Sequence, residues 1–219
     1  MAEMVDGTAR NSDAYQRLEY RLELIAALLL GLAATVTAWA AFQGSQYDGQ
    51  MLTSFTEANL NLSDANQLYT DGSQEWIQDE TLFFEYAKAI TQGDEELALY
   101  LRESLMRDEL VAAIEWWEEQ PDDEFLTPFV EENPNWVIPA YALADELAVA
   151  TDEAFVAGEE ANETGDTYNL ITVMLAASLF VLGIATTFRV LKMRMIVLAV
   201  GALILVVSTV WMLALPFAV

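Results

Sequence analysis

The sequence predicts an all-α polytopic membrane protein with three transmembrane helices and an elongated, acidic, coiled-coil-like three-helix domain outside the membrane. Three observations predict this fold class. The chain of 219 residues is 54% hydrophobic and yet carries a formal net charge of -26. Its apolar residues are concentrated in three runs that contain no charged residue, and large apolar residues recur every seven positions after the first run. This segregation of charge and hydropathy is typical of a membrane protein rather than of one soluble domain.

The three apolar runs have the length of transmembrane helices. They contain 19 to 21 residues each. A helix rises about 1.5 Å per residue, so roughly 20 residues cross a hydrocarbon core about 30 Å thick. We therefore predict spans at 24–42, 169–188 and 195–215.

A cleavable signal peptide is the alternative interpretation of the first run. Ala38-Trp39-Ala40 has the small-x-small form of a cleavage site. A run of 19 residues is long for such a peptide, and we expect the segment to be retained as a span.

Positively charged residues predict the orientation of the spans. Of the nine Lys and Arg residues, three precede the first span and three lie between the second and third: Arg10, Arg17, Arg21, Arg189, Lys192 and Arg194. Short flanks that are rich in Lys and Arg stay in the cytoplasm. We predict a multi-pass protein of the cytoplasmic membrane, with a cytoplasmic amphipathic segment at 1–23, a cytoplasmic basic loop at 189–194, and residues 43–168 and 216–219 outside.

A seven-residue repeat predicts the first helix of the outer segment. One series of its positions is large and apolar: Phe55, Leu62, Tyr69, Trp76, Phe83 and Ile90. A second series follows three residues after the first and is mostly small: Ala58, Ala65, Gly72, Asp79 and Tyr86. Spacings of three and four place both series along one seam of a helix. Because no Pro intervenes, we predict a single helix over about 43–91.

Two further helices and a loop are predicted in the rest of the outer segment. Gly93 and Asp94 indicate a stop and a new N-cap, which begins a helix over about 94–119. Residues 120–138 contain three prolines between aromatic residues, and we expect an irregular loop that is ordered by packing. Pro139 fits the first turn of a helix over 139–168. The inner positions of that helix are mostly small, which permits close approach to the first helix: Ala144, Leu147, Thr151, Ala154, Gly158 and Ala161.

Charge and residue types exclude several functions. Residues 43–168 hold 30 of the 35 acidic residues and three cations. Such a surface repels nucleic acid and concentrates cations, although solubility or adaptation to a salty habitat explains it equally. The sequence contains no His and no Cys, which removes imidazole bases, thiol nucleophiles and the usual zinc ligands. It also has no phosphate-binding Gly-rich loop. We predict that the protein is not an enzyme and uses no cofactor.

Carboxylates remain as candidate ligands for hard cations such as calcium. The candidates form three clusters: Asp122, Asp123 and Glu124; Glu131 and Glu132 beside Asn133; and Glu159, Glu160, Glu163 and Asp166. None of these clusters has the spacing of a known calcium loop. A solvated acidic face is therefore the alternative to a cation site.

Two stretches resemble a family of uncharacterised prokaryotic membrane proteins. They are TAWAAFQGSQYDGQ at 37–50 and ANETGDTYNLITVMLAASLFVLGIATTF at 161–188. The matching residues include Ala161, Asn162, Asp166, Tyr168 and Gly183. The resemblance implies one N-terminal span, a helical extracytoplasmic domain with a Pro-rich aromatic loop, and two C-terminal spans. It implies no activity, because the family has none assigned.

Small residues recur in two of the spans, and no span contains a charged residue. The small residues are Gly31, Ala34, Ala38 and Ala41 in the first span and Thr172, Ala176 and Gly183 in the second. They allow close helix contact in lipid, either among the spans of one chain or with other chains. We hypothesise a non-enzymatic membrane protein whose helical ectodomain mediates homo-oligomeric assembly or association with a larger membrane complex. The alternative hypothesis is a cation-conducting channel or cation-binding protein with an acidic extracytoplasmic vestibule.

Overall fold

The computed structural model describes residues 2–121 and 125–218, with side chains described from Arg17 onward within these ranges. Every regular element in this part of the chain is helical, which confirms the all-α class. The elements are α1 (Ala2–Gln92), α2 (Glu95–Tyr100), a π-helical turn (Leu101–Leu105), α3 (Asp108–Glu118), α4 (Pro139–Ala185) and α5 (Leu191–Leu213).

Three of the helices, α1, α4 and α5, are long and apolar enough to cross a membrane. The mean hydropathies of their most apolar windows are 2.1, 2.0 and 2.7. These helices expose large apolar side chains, among them Leu28, Leu32, Val173, Phe180 and Leu203. Side chains of this kind are stable in lipid and unfavourable in water. The helices are therefore consistent with the predicted membrane protein.

The chain divides into two compact units. One of them, here called the span unit, comprises the chain up to Phe55 and from Phe155 onward. The other, here called the acidic unit, comprises Thr56–Ala154. The sequence of the acidic unit has 25 Asp and Glu residues against three Lys and Arg residues. Both α1 and α4 contribute a segment to each unit.

The core of the acidic unit joins the last part of α1 to α2, the π-helical turn and α3. Its buried members are Phe83, Tyr86, Ala89, Ala98, Leu101, Met106, Leu110 and Ile114. The loop before α4 adds aromatic rings: Phe129 packs edge-on against Phe83 at 5.4 Å between centroids, and Trp136 packs edge-on against Trp76 at 4.5 Å. Packing of aromatic residues therefore orders the described part of this loop before α4.

The small series of the seven-residue repeat is buried throughout, whereas the large series is buried only at Phe83. The buried members of the small series are Ala58, Ala65, Gly72, Asp79 and Tyr86, whereas Leu62 and Ile90 of the large series are 42% and 54% exposed. A Cβ atom added at Gly72 would lie 2.7 Å from the ring of Tyr141, so the first turns of α4 approach the α1 backbone closely. Within the acidic unit, this seam packs against the chain itself.

The single helix expected over 94–119 is divided in the structure. The π-helical turn ends at Leu105, and Met106 and Arg107 adopt extended backbone conformations before α3 begins. The extended step buries the side chain of Met106 in the core and carries Arg107 to Asp79. Long-range packing therefore breaks a segment that contains neither Gly nor Pro after Asp94.

The predicted boundary at Gly93 and Asp94 is confirmed. Gly93 has a φ of 75°, a left-handed conformation that glycine adopts without strain. The backbone N–H groups of Gly93 and Asp94 donate to the carbonyls of Ile90 and Ala89, which satisfies the end of α1. The Asp94 carboxylate accepts from the Leu97 N–H at 3.1 Å and caps α2.

The core of the span unit is formed by α1, α4 and α5. It includes Ala26, Ala33, Ala40 and Tyr47 of α1, Ile171, Leu175 and Leu182 of α4, and Leu198, Leu205 and Met212 of α5. The α1 members recur every seven residues, as in a helix that packs along one seam. Gly201 provides close contact between α5 and α4, because an added Cβ atom would lie 2.7 Å from Leu182.

Two helix ends in the structure differ from the boundaries that the sequence predicts for the second span and the basic loop. The second predicted span extends to 188, whereas α4 ends at Ala185, and the hydroxyls of Thr186 and Thr187 donate to carbonyls of its last turn. The basic loop predicted at 189–194 is shorter, because α5 begins at Leu191. Lys192 and Arg194 therefore belong to the start of a helix rather than to a loop.

Candidate functional sites

The predicted cation ligands in the loop do not form a described site. Asp122, Asp123 and Glu124 lie outside the described residues, while Glu131 and Glu132 are exposed. Their neighbour Asn133 is buried, and its amide donates to the carbonyls of Ala113 and Pro128 at 3.1 and 2.8 Å. Its Oδ1 atom, the only atom of the side chain that could bind a cation, accepts from the backbone N–H of Asn135 at 3.1 Å, so Asn133 holds the loop against α3 with its whole amide group.

The four acidic candidates on α4 are exposed side chains of the span unit: Glu159, Glu160, Glu163 and Asp166. Glu159 and Glu163 border a shallow groove of about 460 Å³ together with Phe55 and Asn162. Among the described residues, no three acidic side chains are arranged to hold a metal ion. In this geometry the four residues form a solvated acidic face.

Every cation of the acidic unit is engaged in an ion pair. Arg107 pairs with Asp79 and Glu109, Arg102 pairs with Glu115 and Glu118, and Lys88 pairs with Glu85. These pairs involve five of the unit's 25 acidic residues, so most of the described carboxylates have no basic side chain to neutralise them. The resulting surface attracts cations and repels other acidic surfaces.

The pair between Asp79 and Arg107 lies in a seam position of α1. Asp79 is only 2% exposed. Its two oxygens accept three hydrogen bonds from the Nε and Nη2 atoms of Arg107, at 2.7 to 3.1 Å. Burial alone would lower the pKa of Arg107, but the hydrogen bonds to Asp79 raise it above its usual range. In the sequence, Asp79 stands out as a carboxylate in a series of mostly small seam residues. That pattern does not identify Arg107 as its partner.

A second polar cluster links α1 to α3 and the π-helical turn. The hydroxyl of Tyr86 donates to Glu118 at 3.0 Å and accepts a hydrogen bond from Arg102 at 3.3 Å. Arg102 also donates to Glu115 at 2.9 Å. Burial, followed by the hydrogen bond to Glu118, raises the pKa of Tyr86 above its ordinary value of about 10.

We predict that Tyr86 makes the stability of the acidic unit fall at high pH. A raised pKa means that folding favours the neutral phenol, so this contribution is complete below about pH 10 and is lost as the pH rises through the folded-state pKa. Thermal unfolding from pH 7 to 11 measures it. The difference in unfolding free energy between wild type and Tyr86→Phe should stay constant to about pH 9 and shrink above pH 10. Tyr100→Phe, at a tyrosine that is 54% exposed, is the control; a constant difference at all pH values would contradict the prediction.

A polar clamp in the span unit holds the segment that follows α5. Gln43, only 1% exposed, accepts from the backbone N–H of Ala218 at 2.7 Å and donates to its carbonyl at 3.4 Å. The hydroxyls of Tyr47 and Tyr168 both donate to the carbonyl of Pro216 at 3.0 Å. The clamp thus ties α1 and α4 to a segment that includes Ala218, 175 residues away from Gln43. Sequence patterns carried no signal for this pairing.

The small residues of the first span form an outward face of α1. This outward small face consists of Gly31, Ala34, Ala38 and Ala41, which are all exposed. Ala26, Ala33 and Ala40, on another side of the helix, are buried in the core. A Cβ atom added at Gly31 would meet no neighbour within 4 Å. Contact among the described spans of this chain therefore does not account for these small residues.

No protein-family model, curated protein or solved structure matches the chain. The resemblance to a prokaryotic family of three-span membrane proteins accordingly stays a prediction.

Proposed function

We propose that the protein is a non-enzymatic integral membrane protein that assembles with copies of itself, or with a larger membrane complex, and carries a three-helix acidic domain outside the membrane. The observation that supports this proposal most is the outward small face of α1. The distribution of Lys and Arg along the sequence supports the orientation.

The outward small face is suited to a partner helix rather than to lipid alone. Neighbouring lipid-facing positions of α1 carry bulky residues such as Leu28 and Leu32, which are 66% and 55% exposed. The small residues are spaced by three and four positions and leave a shallow groove about 15 Å long. Within such a groove the backbone of a second helix approaches closely and gains van der Waals contact.

The acidic unit contributes to this proposal through its outer surface. Its seam is occupied by its own chain, so assembly uses exposed side chains such as Ile77 and Phe84, which are 62% and 72% exposed and one heptad apart on α1. Copies of a strongly acidic surface repel one another at low salt. We therefore expect the assembly to strengthen as added salt screens this repulsion.

The test is the mass of the complete chain in mild detergent. The double variant Gly31→Leu and Ala38→Leu should weaken self-association by about tenfold or more, because bulky side chains fill the groove. The control is Ala177→Leu on α4, at an exposed position that is not one of the small residues named in the second span. Native mass spectrometry and light scattering report the number of copies.

Two results would contradict the proposal. One is a wild-type chain that stays monomeric at all salt concentrations with no co-purifying partner. The other is equal weakening by the double variant and by the control, which would remove the outward small face as the interface. Recordings in lipid bilayers separate assembly from the cation-channel hypothesis, because an assembly without conductance supports the former.

A further inference from the structure

The start of α5 concentrates positive charge. Lys192 and Arg194 lie within its first four residues, and Arg189 precedes it by two. The first turn contains no acidic residue, and the N-cap residue Val190 makes no side-chain capping bond. The N-terminus of a helix itself carries a partial positive charge. Both basic side chains of this turn therefore oppose the helix dipole, and the arrangement favours an anion.

Arg194 is a buried cation with an incomplete set of partners. Its side chain is 5% exposed and pairs with Glu23 at 3.5 Å, while the Glu23 side chain is 61% exposed. The Nε atom of Arg194 is buried and has no hydrogen-bond partner. A buried guanidinium is normally neutralised and fully hydrogen-bonded, because removing its charge from water is unfavourable. One long ion pair with an exposed carboxylate does not meet that requirement.

We propose that Arg194, together with the first N–H groups of α5, binds the phosphate group of an anionic phospholipid, with Glu23 as a competing carboxylate. A guanidinium matches two phosphate oxygens with two parallel hydrogen bonds. Backbone N–H groups at a helix N-terminus bind phosphate in the same way. The site also lies at the right depth, because α5 is a candidate span and its first turn falls near the lipid head groups. A free phosphate ion shares this chemistry, and the experiment distinguishes the two sources.

The experiment measures lipid binding to the complete chain in a neutral detergent. Native mass spectrometry is titrated with phosphatidylglycerol, with phosphatidylcholine, and with phosphatidylglycerol in the presence of inorganic phosphate. We expect phosphatidylglycerol to bind more tightly than phosphatidylcholine. Arg194→Gln should weaken that binding about tenfold, the value of one lost charge-assisted hydrogen-bond pair. Arg189→Gln, at an exposed position before the helix, is the matched control and should change it less than about threefold.

A second variant keeps the test decisive if Arg194→Gln disturbs folding. Glu23→Gln removes the competing carboxylate, so phosphatidylglycerol should bind more tightly, a gain that a damaged fold does not produce. Displacement of the lipid by inorganic phosphate would assign the site to phosphate in general, and its persistence would assign it to the lipid. Three results would overturn the proposal. Arg194→Gln and Arg189→Gln could weaken phosphatidylglycerol binding equally, or Glu23→Gln could bind this lipid more weakly than wild type. The third result is that neither phosphatidylglycerol nor inorganic phosphate binds.

Discussion

Replacement of Asp79 by Ala is expected to destabilise the acidic unit by about 3 kcal/mol. The substitution removes the carboxylate that accepts all three hydrogen bonds from Nε and Nη2 of Arg107. The Arg107 side chain is 23% exposed and would keep only the pair with Glu109 at 3.3 Å. A partly buried guanidinium without a matched acceptor is unfavourable, and the loss also releases the extended step that precedes α3.

Hydrogen exchange and thermal unfolding of the complete chain measure this effect. Exchange should increase in α3 and in the last turns of α1, where the pair joins the two helices. Glu85→Ala is the control, because it removes an ion pair whose two side chains are 51% and 53% exposed; its expected effect is below about 0.5 kcal/mol. If Asp79→Ala and Glu85→Ala lowered the free energy of unfolding equally, burial of the Asp79 pair would have no energetic consequence.

Replacement of Gly158 by Leu is expected to destabilise the span unit by about 3 kcal/mol or more. A Cβ atom added at Gly158 would overlap the ring of Phe55, which belongs to α1. Phe55 in turn packs on Phe155 at 6.0 Å between ring centroids. The new side chain therefore has to push α4 away from α1 or displace a packed ring.

A glycine at a helix position with no close neighbour provides a control, because its replacement is expected to raise stability rather than lower it. Gly49 also lies in α1, but an added Cβ atom there meets nothing within 4 Å. Gly49→Ala should stabilise the helix by about 0.5 to 1 kcal/mol, because alanine loses less conformational entropy. Thermal unfolding of both variants in the same detergent compares their stabilities. A Gly158→Leu protein as stable as wild type would contradict the close contact between Gly158 and the ring of Phe55.

A double substitution identifies the contact itself. Phe55→Ala removes the ring that Gly158→Leu would strike, so the two effects should not add. The double variant should be more stable than the sum of the single changes predicts, by about 1 kcal/mol or more. Additive effects would show that the two sites act independently.

Features that depend on neighbouring residues were predictable from the sequence. The apolar run at 24–42 predicts a span because hydropathy and length are properties of the run itself. The boundary at Gly93 and Asp94 was predictable for the same reason, since left-handed glycine and a carboxylate cap act within one turn. Prolines and aromatic residues at 120–138 likewise predicted a loop that is ordered by packing.

The candidate cation site was less predictable, because clusters in sequence are not clusters in space. Glu131 and Glu132 are adjacent along the chain, yet Asn133 beside them turns inward to support the loop. Conversely, Glu23 and Arg194 are far apart in sequence and meet in the span unit. A ligand set depends on which side chains converge, and local spacing carries that information only in short motifs.

Hydropathy, helix period and capping are local properties of a chain, so the helical class and the three span-length helices follow from the residues of each segment alone. Tertiary structure alone decided which seam series is buried, that Arg107 leaves the helix to reach Asp79, and that Gln43 binds the backbone of Ala218. It also decided that the small residues of the first span face outward. Each of these depends on contacts between distant segments, whose free energy is balanced against chain entropy over the whole fold rather than within one turn.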